Sequence, residues 1–141
     1  DVARRELWWL SNRAQAAVAV TPGVHGLSNA LLDTPWPKVA HSTQRLATLL
    51  RPHAAPDHAQ LLDAMLDTRV ADDAALPSTG VGIDTERMLS PAFIRSPRYG
   101  TRCTTLVTAS DVGAQVTEQS HAHPGQAAQQ RQFEWAWQRE R

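Results

Sequence analysis

Thr101-Arg102-Cys103-Thr104-Thr105-Leu106-Val107-Thr108 is the stretch on which the fold turns. It is rich in β-branched residues, which suit a pleated, half-buried surface better than a helix. Ser110-Asp111-Val112-Gly113 closes it and a second run from Ala114 to Ser120 follows, so the spacing predicts a β-hairpin. Further on, Phe133, Trp135 and Trp137 alternate with Glu134, Ala136 and Gln138. A period of two predicts a last strand that buries one aromatic face.

Upstream, Glu6-Leu7-Trp8-Trp9-Leu10 and Ala16-Ala17-Val18-Ala19-Val20 are short apolar runs separated by the polar Ser11-Asn12-Arg13, which reads as strand, turn, strand. Thr21-Pro22-Gly23 breaks the pattern and leads into Val24-His25-Gly26-Leu27-Ser28-Asn29, a tight segment set by its backbone. From Pro37 onward, Val39, Thr43, Leu46 and Leu50 recur at helical spacing, and proline suits the first turn because its missing N–H has no partner there. This helix should run to Arg51, before Pro52. Asp57 is a candidate N-cap for a second helix over 57–68, with Leu61, Leu62, Met65 and Leu66 on one stripe. Residues 69–84 lack any period and read as a surface loop excursion, followed by a short helical turn from Asp84 to Leu89.

The whole is therefore expected to be α+β. Antiparallel strands are expected near 6–10, 16–20, 102–109, 114–120 and 132–138, with the two helices on one face of the sheet.

At 141 residues, 42% hydrophobic and 20% charged, the chain has the size and composition of one globular domain. Fourteen basic residues balance fourteen acidic ones, so no overall field draws it to nucleic acid or an anionic membrane, and no basic stripe with interleaved aromatics marks a nucleic-acid surface. One cysteine, Cys103, excludes an internal disulfide and a multi-cysteine metal cluster. No apolar run approaches the ~18 to 20 residues needed to cross a bilayer, and the first residues do not form a signal peptide, so a cytoplasmic location is expected. The residues call for neither a metal nor a cofactor.

Two segments are too particular to be filler. One is Gly26-Leu27-Ser28-Asn29-Ala30-Leu31-Leu32-Asp33-Thr34-Pro35-Trp36-Pro37-Lys38-Val39, and the other is Phe93-Ile94-Arg95-Ser96-Pro97-Arg98-Tyr99-Gly100-Thr101-Arg102-Cys103-Thr104-Thr105. Together with Leu10-Ser11-Asn12-Arg13, in this order, they resemble the C-terminal half of the NRDE family, also called the transport-and-Golgi-organisation protein two family. The resemblance spans roughly residues 6 to 120. The family's Cys after the initiator Met and its Asn-Arg-Asp-Glu motif are absent, since Asn12-Arg13 runs on into Ala14-Gln15. Residues 1–141 are accordingly expected to be a single partial domain, the C-terminal part of a longer protein.

The resemblance implies part of an N-terminal-nucleophile-hydrolase-like αββα sandwich, in which the first residue's side chain attacks an amide or ester and its free α-amine acts as base. A later Asn in the oxyanion hole and a still later Arg complete such sites, and an uncharged amide N–H suits the developing oxyanion. Asn29 would take the first role and Arg102 the second.

Each candidate has a plainer alternative. Asn29 would be a turn former bonding its own backbone. Arg102 would form a salt bridge to a carboxylate in the sheet or on a helix. Trp36, between two prolines, reads as a packing residue. Cys103, in a β-branched strand with no adjacent His, reads as a small buried hydrophobe rather than a nucleophile. His121-Ala122-His123 would put two imidazoles on one strand face, but no nearby carboxylate or Cys completes a metal set, and a solvated loop is the simpler reading. His41, His53 and His58 look like helix-surface residues, and the five tryptophans look like core.

Two functions remain open. In one, the intact protein is a Cys-type N-terminal-nucleophile amidohydrolase acting on a C–N amide bond, and this chain alone is inactive. In the other, the fold is a non-catalytic carrier of a hydrophobic ligand such as haem or a lipid-like acyl group. Either way the chain is expected to need its missing N-terminal half or to associate with copies of itself.

Overall fold

The computed structural model describes residues 1, 4–50, 57–122 and 125–137. The chain is α+β with antiparallel sheets, and it divides into two compact units, Leu7–Gly100 and the combination of Asp1–Glu6 with Thr101–Arg141.

In the Leu7–Gly100 unit, strands β1 (Leu7–Trp9) and β2 (Val18–Val20) pair antiparallel in the register Leu7↔Val20 to Trp9↔Val18. Helix α1 (Pro37–Leu49) starts with its proline in the first turn and no side-chain cap, as the sequence implied. Helix α2 (His58–Ala64) starts on the expected cap: Asp57 accepts from the Ala59 N–H at 3.3 Å, and Gln60 accepts from the Asp57 N–H at 3.3 Å. α2 stops four residues before its expected end. The Met65 and Leu66 N–H groups bond carbonyls three residues back, which tightens the chain out of the α-helix, and the Asp67 carbonyl then accepts from Phe93 N–H at 2.8 Å. The end of α1 at Leu49 falls close to expectation; Arg51 and Pro52 lie outside the described residues. Arg45 ties the two helices, with Nη2 2.8 Å from the Asp63 carboxylate and Nη1 donating to the Ala64 carbonyl.

Residues 69–84 have no period, yet side chains hold them down. The Ala71 N–H donates to Ser90 Oγ at 3.0 Å, and Arg87 forks onto Asp73 with both contacts at 2.6 Å. A short 3-10 turn, Asp73–Ala75, sits in this stretch, and helix α3 (Ile83–Leu89) covers the turn expected at Asp84–Leu89. The buried Glu86 of α3 accepts from both the Thr79 N–H, at 2.7 Å, and the Thr79 hydroxyl, at 2.6 Å.

In the other unit, β3 (Cys103–Ala109), β4 (Gly113–Ser120) and β5 (Gln129–Ala136) form a meander in the order β3-β4-β5. The hairpin forms where its β-branched run and turn residues placed it, closed by the Ser110 N–H to Gly113 carbonyl bond at 2.9 Å. Gly113 has to be glycine, because a Cβ there would run into the Trp135 carbonyl of the adjacent strand. β5 begins three residues earlier than expected, since β4 is long enough to pair with it from Gln129↔Ser120 to Gly113↔Ala136. Gln138 lies outside the described residues.

Three expectations about burial fail. β5 is exposed along its whole length, with Phe133 at 53% and Trp135 at 46%, and so does not bury an aromatic face. It is an edge strand, and among the described residues of its unit nothing lies over that side. Trp8 is also exposed, which removes it from the core. Trp137 follows the strand and donates from Nε1 to the Ser110 carbonyl at 2.7 Å. Cys103 is a free, exposed thiol, because β3 is the other edge and Cys103 starts it.

Candidate functional site

Asn29 sits on a loop that its neighbours close tightly. The Asp33 N–H donates to the Gly26 carbonyl at 2.8 Å, and Asp33 Oδ1 accepts from the Gly26 N–H at 2.8 Å. Asp33 holds a left-handed φ of 59°, which an Asx residue tolerates best after Gly and Asn. Gly26 is fixed by close approach, since a Cβ there would come 2.6 Å from Val39 Cγ1 and 2.8 Å from Thr43 Cγ2 of α1. The loop is thereby pressed onto the helix that follows it.

His25 completes this clasp. Its Nδ1 lies 2.7 Å from Asp33 Oδ2 and its Nε2 lies 2.9 Å from the Thr21 carbonyl. Two acceptors favour the doubly protonated ring, so the hydrogen bond to Asp33, then that to Thr21, raises the His25 pKa above its ordinary 6.5. The same bond, with the Gly26 N–H, lowers that of Asp33 below 3.8. A raised histidine stabilises fully below its unfolded value and loses that contribution as pH rises through its folded pKa. A lowered carboxylate stabilises above its unfolded value and loses that as pH falls through its folded pKa. The clasp should therefore contribute most between about pH 4 and 6.5. In melts from pH 5 to 8, the wild-type melting temperature should fall relative to that of His25→Gln as pH rises, and parallel curves would exclude the clasp.

The Asn29 carbonyl accepts from Arg13 Nη1 at 2.9 Å, which links the loop to the polar turn between β1 and β2. Its carboxamide makes no hydrogen bond among the described residues, so the side chain does not act as a turn former on its own backbone. Asn29 lines a cavity of about 300 Å³ together with Arg13, Trp36, Lys38, Thr79 and Glu86. Lys38, on the first turn of α1, is half-buried and donates from Nζ to the Leu89 carbonyl at 2.8 Å. Burial lowers its pKa and the charge of Glu86 opposes that. Glu86 is held below the ordinary carboxylate range first by the Thr79 hydroxyl, then by the Thr79 N–H, with Lys38 adding to the effect.

Arg102 belongs to the other unit, immediately before β3. Its carbonyl accepts from the His121 N–H at 2.8 Å, while its guanidinium makes no ion pair with a described carboxylate. It lines a separate hollow of about 190 Å³ with Cys103, Glu118 and His121. Asn29 and Arg102 are thus each placed within its own unit. His121 Nε2 lies 2.9 Å from Thr104 Oγ1, whereas His123 and His53 lie outside the described residues. His41, on α1, faces Asp67 at 3.3 Å. Among the described residues no group of three or more His, Cys, Asp or Glu is arranged to hold a metal. No helix among them is long and apolar enough to cross a membrane.

The Lys38–Glu86 and His25–Asp33 pairs did not emerge from sequence reasoning. His25 and Asp33 are eight positions apart across a loop with no period, and Glu86 lies in a segment remote from Lys38. Their one visible signal was that Lys38 is the only lysine in the chain.

Residues 1–122 match the family described as Transport and Golgi organisation 2. The human Transport and Golgi organization protein 2 homolog is 37% identical over 98 residues, and the bovine protein of the same name is 34% identical over 98. The mouse Transport and Golgi organization 2 homolog is 30% identical over 97. Each match covers 64% of this chain and 35% of the relative, so the chain spans about a third of the length of the curated relatives it matches. A match running through both compact units and both long motifs shows that the chain belongs to the Transport and Golgi organisation 2 family, the one its motifs resembled.

Proposed function

We propose that the chain is the C-terminal part of a cytoplasmic, Cys-type N-terminal-nucleophile amidohydrolase that cleaves a C–N amide bond, and that it is inactive by itself. The observation that carries this reading is the carboxamide of Asn29, which bonds to no described residue, beside a cavity of about 300 Å³. An oxyanion donor must be held rigidly while its N–H stays uncommitted. The Gly26–Asp33 clasp supplies the rigidity by bonding the backbone and Asp33, and it spends none of the Asn29 side chain. Arg102, with no carboxylate partner among the described residues, is available to orient the nucleophile or polarise the scissile carbonyl. The nucleophile itself would be a cysteine thiolate with its own α-amine as base, in sequence beyond these residues. In the αββα arrangement this implies, that sequence brings a second sheet.

The test is chemical. Mass spectrometry of the mature, full-length protein should find a cysteine at the N-terminus with a free α-amine, and incubation with an activated acyl amide should leave the acyl group on that cysteine. A blocked terminus or an unlabelled cysteine would sink the hydrolase reading. In that case a non-catalytic carrier of a hydrophobic ligand becomes the better account of the same cavity.

A further inference from the structure

The cavity beside Asn29 is lined by one carboxylate, Glu86, and two cations, Lys38 and Arg13, and each keeps unused hydrogen-bonding capacity among the described residues. An ammonium has three donors, and Lys38 commits one of them, to the Leu89 carbonyl. Both hydrogen bonds to Glu86 fall on Oε1, which leaves Oε2 without a hydrogen-bond partner among the described residues. Oε2 is not sealed in packing either, because the fully enclosed, unpartnered side-chain atom among the described residues is Thr117 Oγ1. Lys38 and Glu86 attract each other without a hydrogen bond between them. Around them the walls include Trp36, Val81 and Leu89.

Lys38 and Glu86 offset part of each other's burial cost, and a ligand that uses their remaining hydrogen-bonding capacity adds to that. A ligand of one charge sign would answer only the two cations or only Glu86. A zwitterion meets both. With Trp36, Val81 and Leu89 offering apolar surface, and a volume at the small end for ligand sites, the remaining part of the ligand should be compact and apolar. We propose that this cavity binds an apolar α-amino acid, its carboxylate against the Lys38 ammonium and its ammonium against Glu86 Oε2. Arg13, whose Nη1 is committed to the Asn29 carbonyl, adds a second positive charge to the cavity lining. The assignment stands whether or not the intact protein hydrolyses amides.

Calorimetric titration of the protein with leucine, N-acetyl-leucine and leucinamide tests it. Leucine should bind saturably, and each blocked analogue should bind roughly 10-fold or more weakly, the scale of losing one charge-assisted hydrogen bond. Lys38→Met should weaken leucine by a comparable factor, and Glu86→Gln likewise. Glu86 also anchors Thr79, so that variant could lose its fold. The analogue series needs no substitution and decides the matter alone. Absence of saturable leucine binding, or either blocked analogue binding as tightly as leucine, would overturn the proposal.

Discussion

If the full-length protein cleaves amides as proposed, Asn29→Ala should lower turnover by roughly 10²-fold or more, the scale of losing one oxyanion donor, and leave the melting temperature nearly unchanged. Both halves of that expectation come from the hydrogen bonding of residue 29. Its carbonyl takes the Arg13 bond, which alanine keeps, and its carboxamide bonds to no described residue, so truncation breaks nothing inside the fold. What is lost appears only when negative charge develops on a substrate oxygen. kcat should fall more than KM rises, because an interaction made only in the transition state contributes nothing to ground-state binding. Asn29→Asp keeps the shape and replaces a donor by a carboxylate, and it should be at least as damaging. An alanine variant that turns over amides at the wild-type rate would remove Asn29 from the chemistry.

The parts of the fold legible in the sequence were those governed by short-range pattern. The β3–β4 hairpin followed from the β-branched run before Ser110–Gly113 and the second run after it, and α2 followed from Asp57 and the Leu61, Leu62, Met65 and Leu66 stripe, with Gln60 completing the cap in the structure. Burial was not legible in the same way. Alternation in β5 correctly indicated a strand, but which face a strand buries depends on what is packed over it, and Phe133 and Trp135 are exposed. The candidate site divides along the same line. Asn29 stood out because the motif around it, Gly26 to Val39, resembles the family's, which implied a role for an Asn. Of the partners that shape its surroundings, Glu86 for Lys38 sits on α3, and Thr79 for Glu86 lies in a segment without period that side chains hold against α3. Such contacts have no signature in spacing, because only the folded chain brings them within reach.

The 141-residue chain, prepared without further sequence, should bind a hydrophobic dye and associate with itself as its concentration rises. In an antiparallel sheet directly paired residues share a face, so the rows Val107↔Val116↔Phe133 and Ala109↔Ala114↔Trp135 lie side by side on one surface. Val107 is 60% exposed, and Phe133 and Trp135 are about half exposed, which makes a contiguous apolar patch of the kind that monomers rarely leave open. Among the described residues β5 adds an unpaired strand edge along the same side, a template for pairing with another chain. The opposite face at β5 presents Gln130, Gln132 and Glu134 and has no comparable drive to associate. Phe133→Ser with Trp135→Ser should therefore cut dye fluorescence several-fold and shift the chain toward monomer in sedimentation, whereas Gln132→Ser with Glu134→Ser should do neither. The full-length protein should behave like the first of these variants if its additional sequence covers this face as a second sheet would. A dilute chain that stays monomeric, ignores the dye and melts sharply would show that the face is stable in water, and the requirement for a covering layer would go with it.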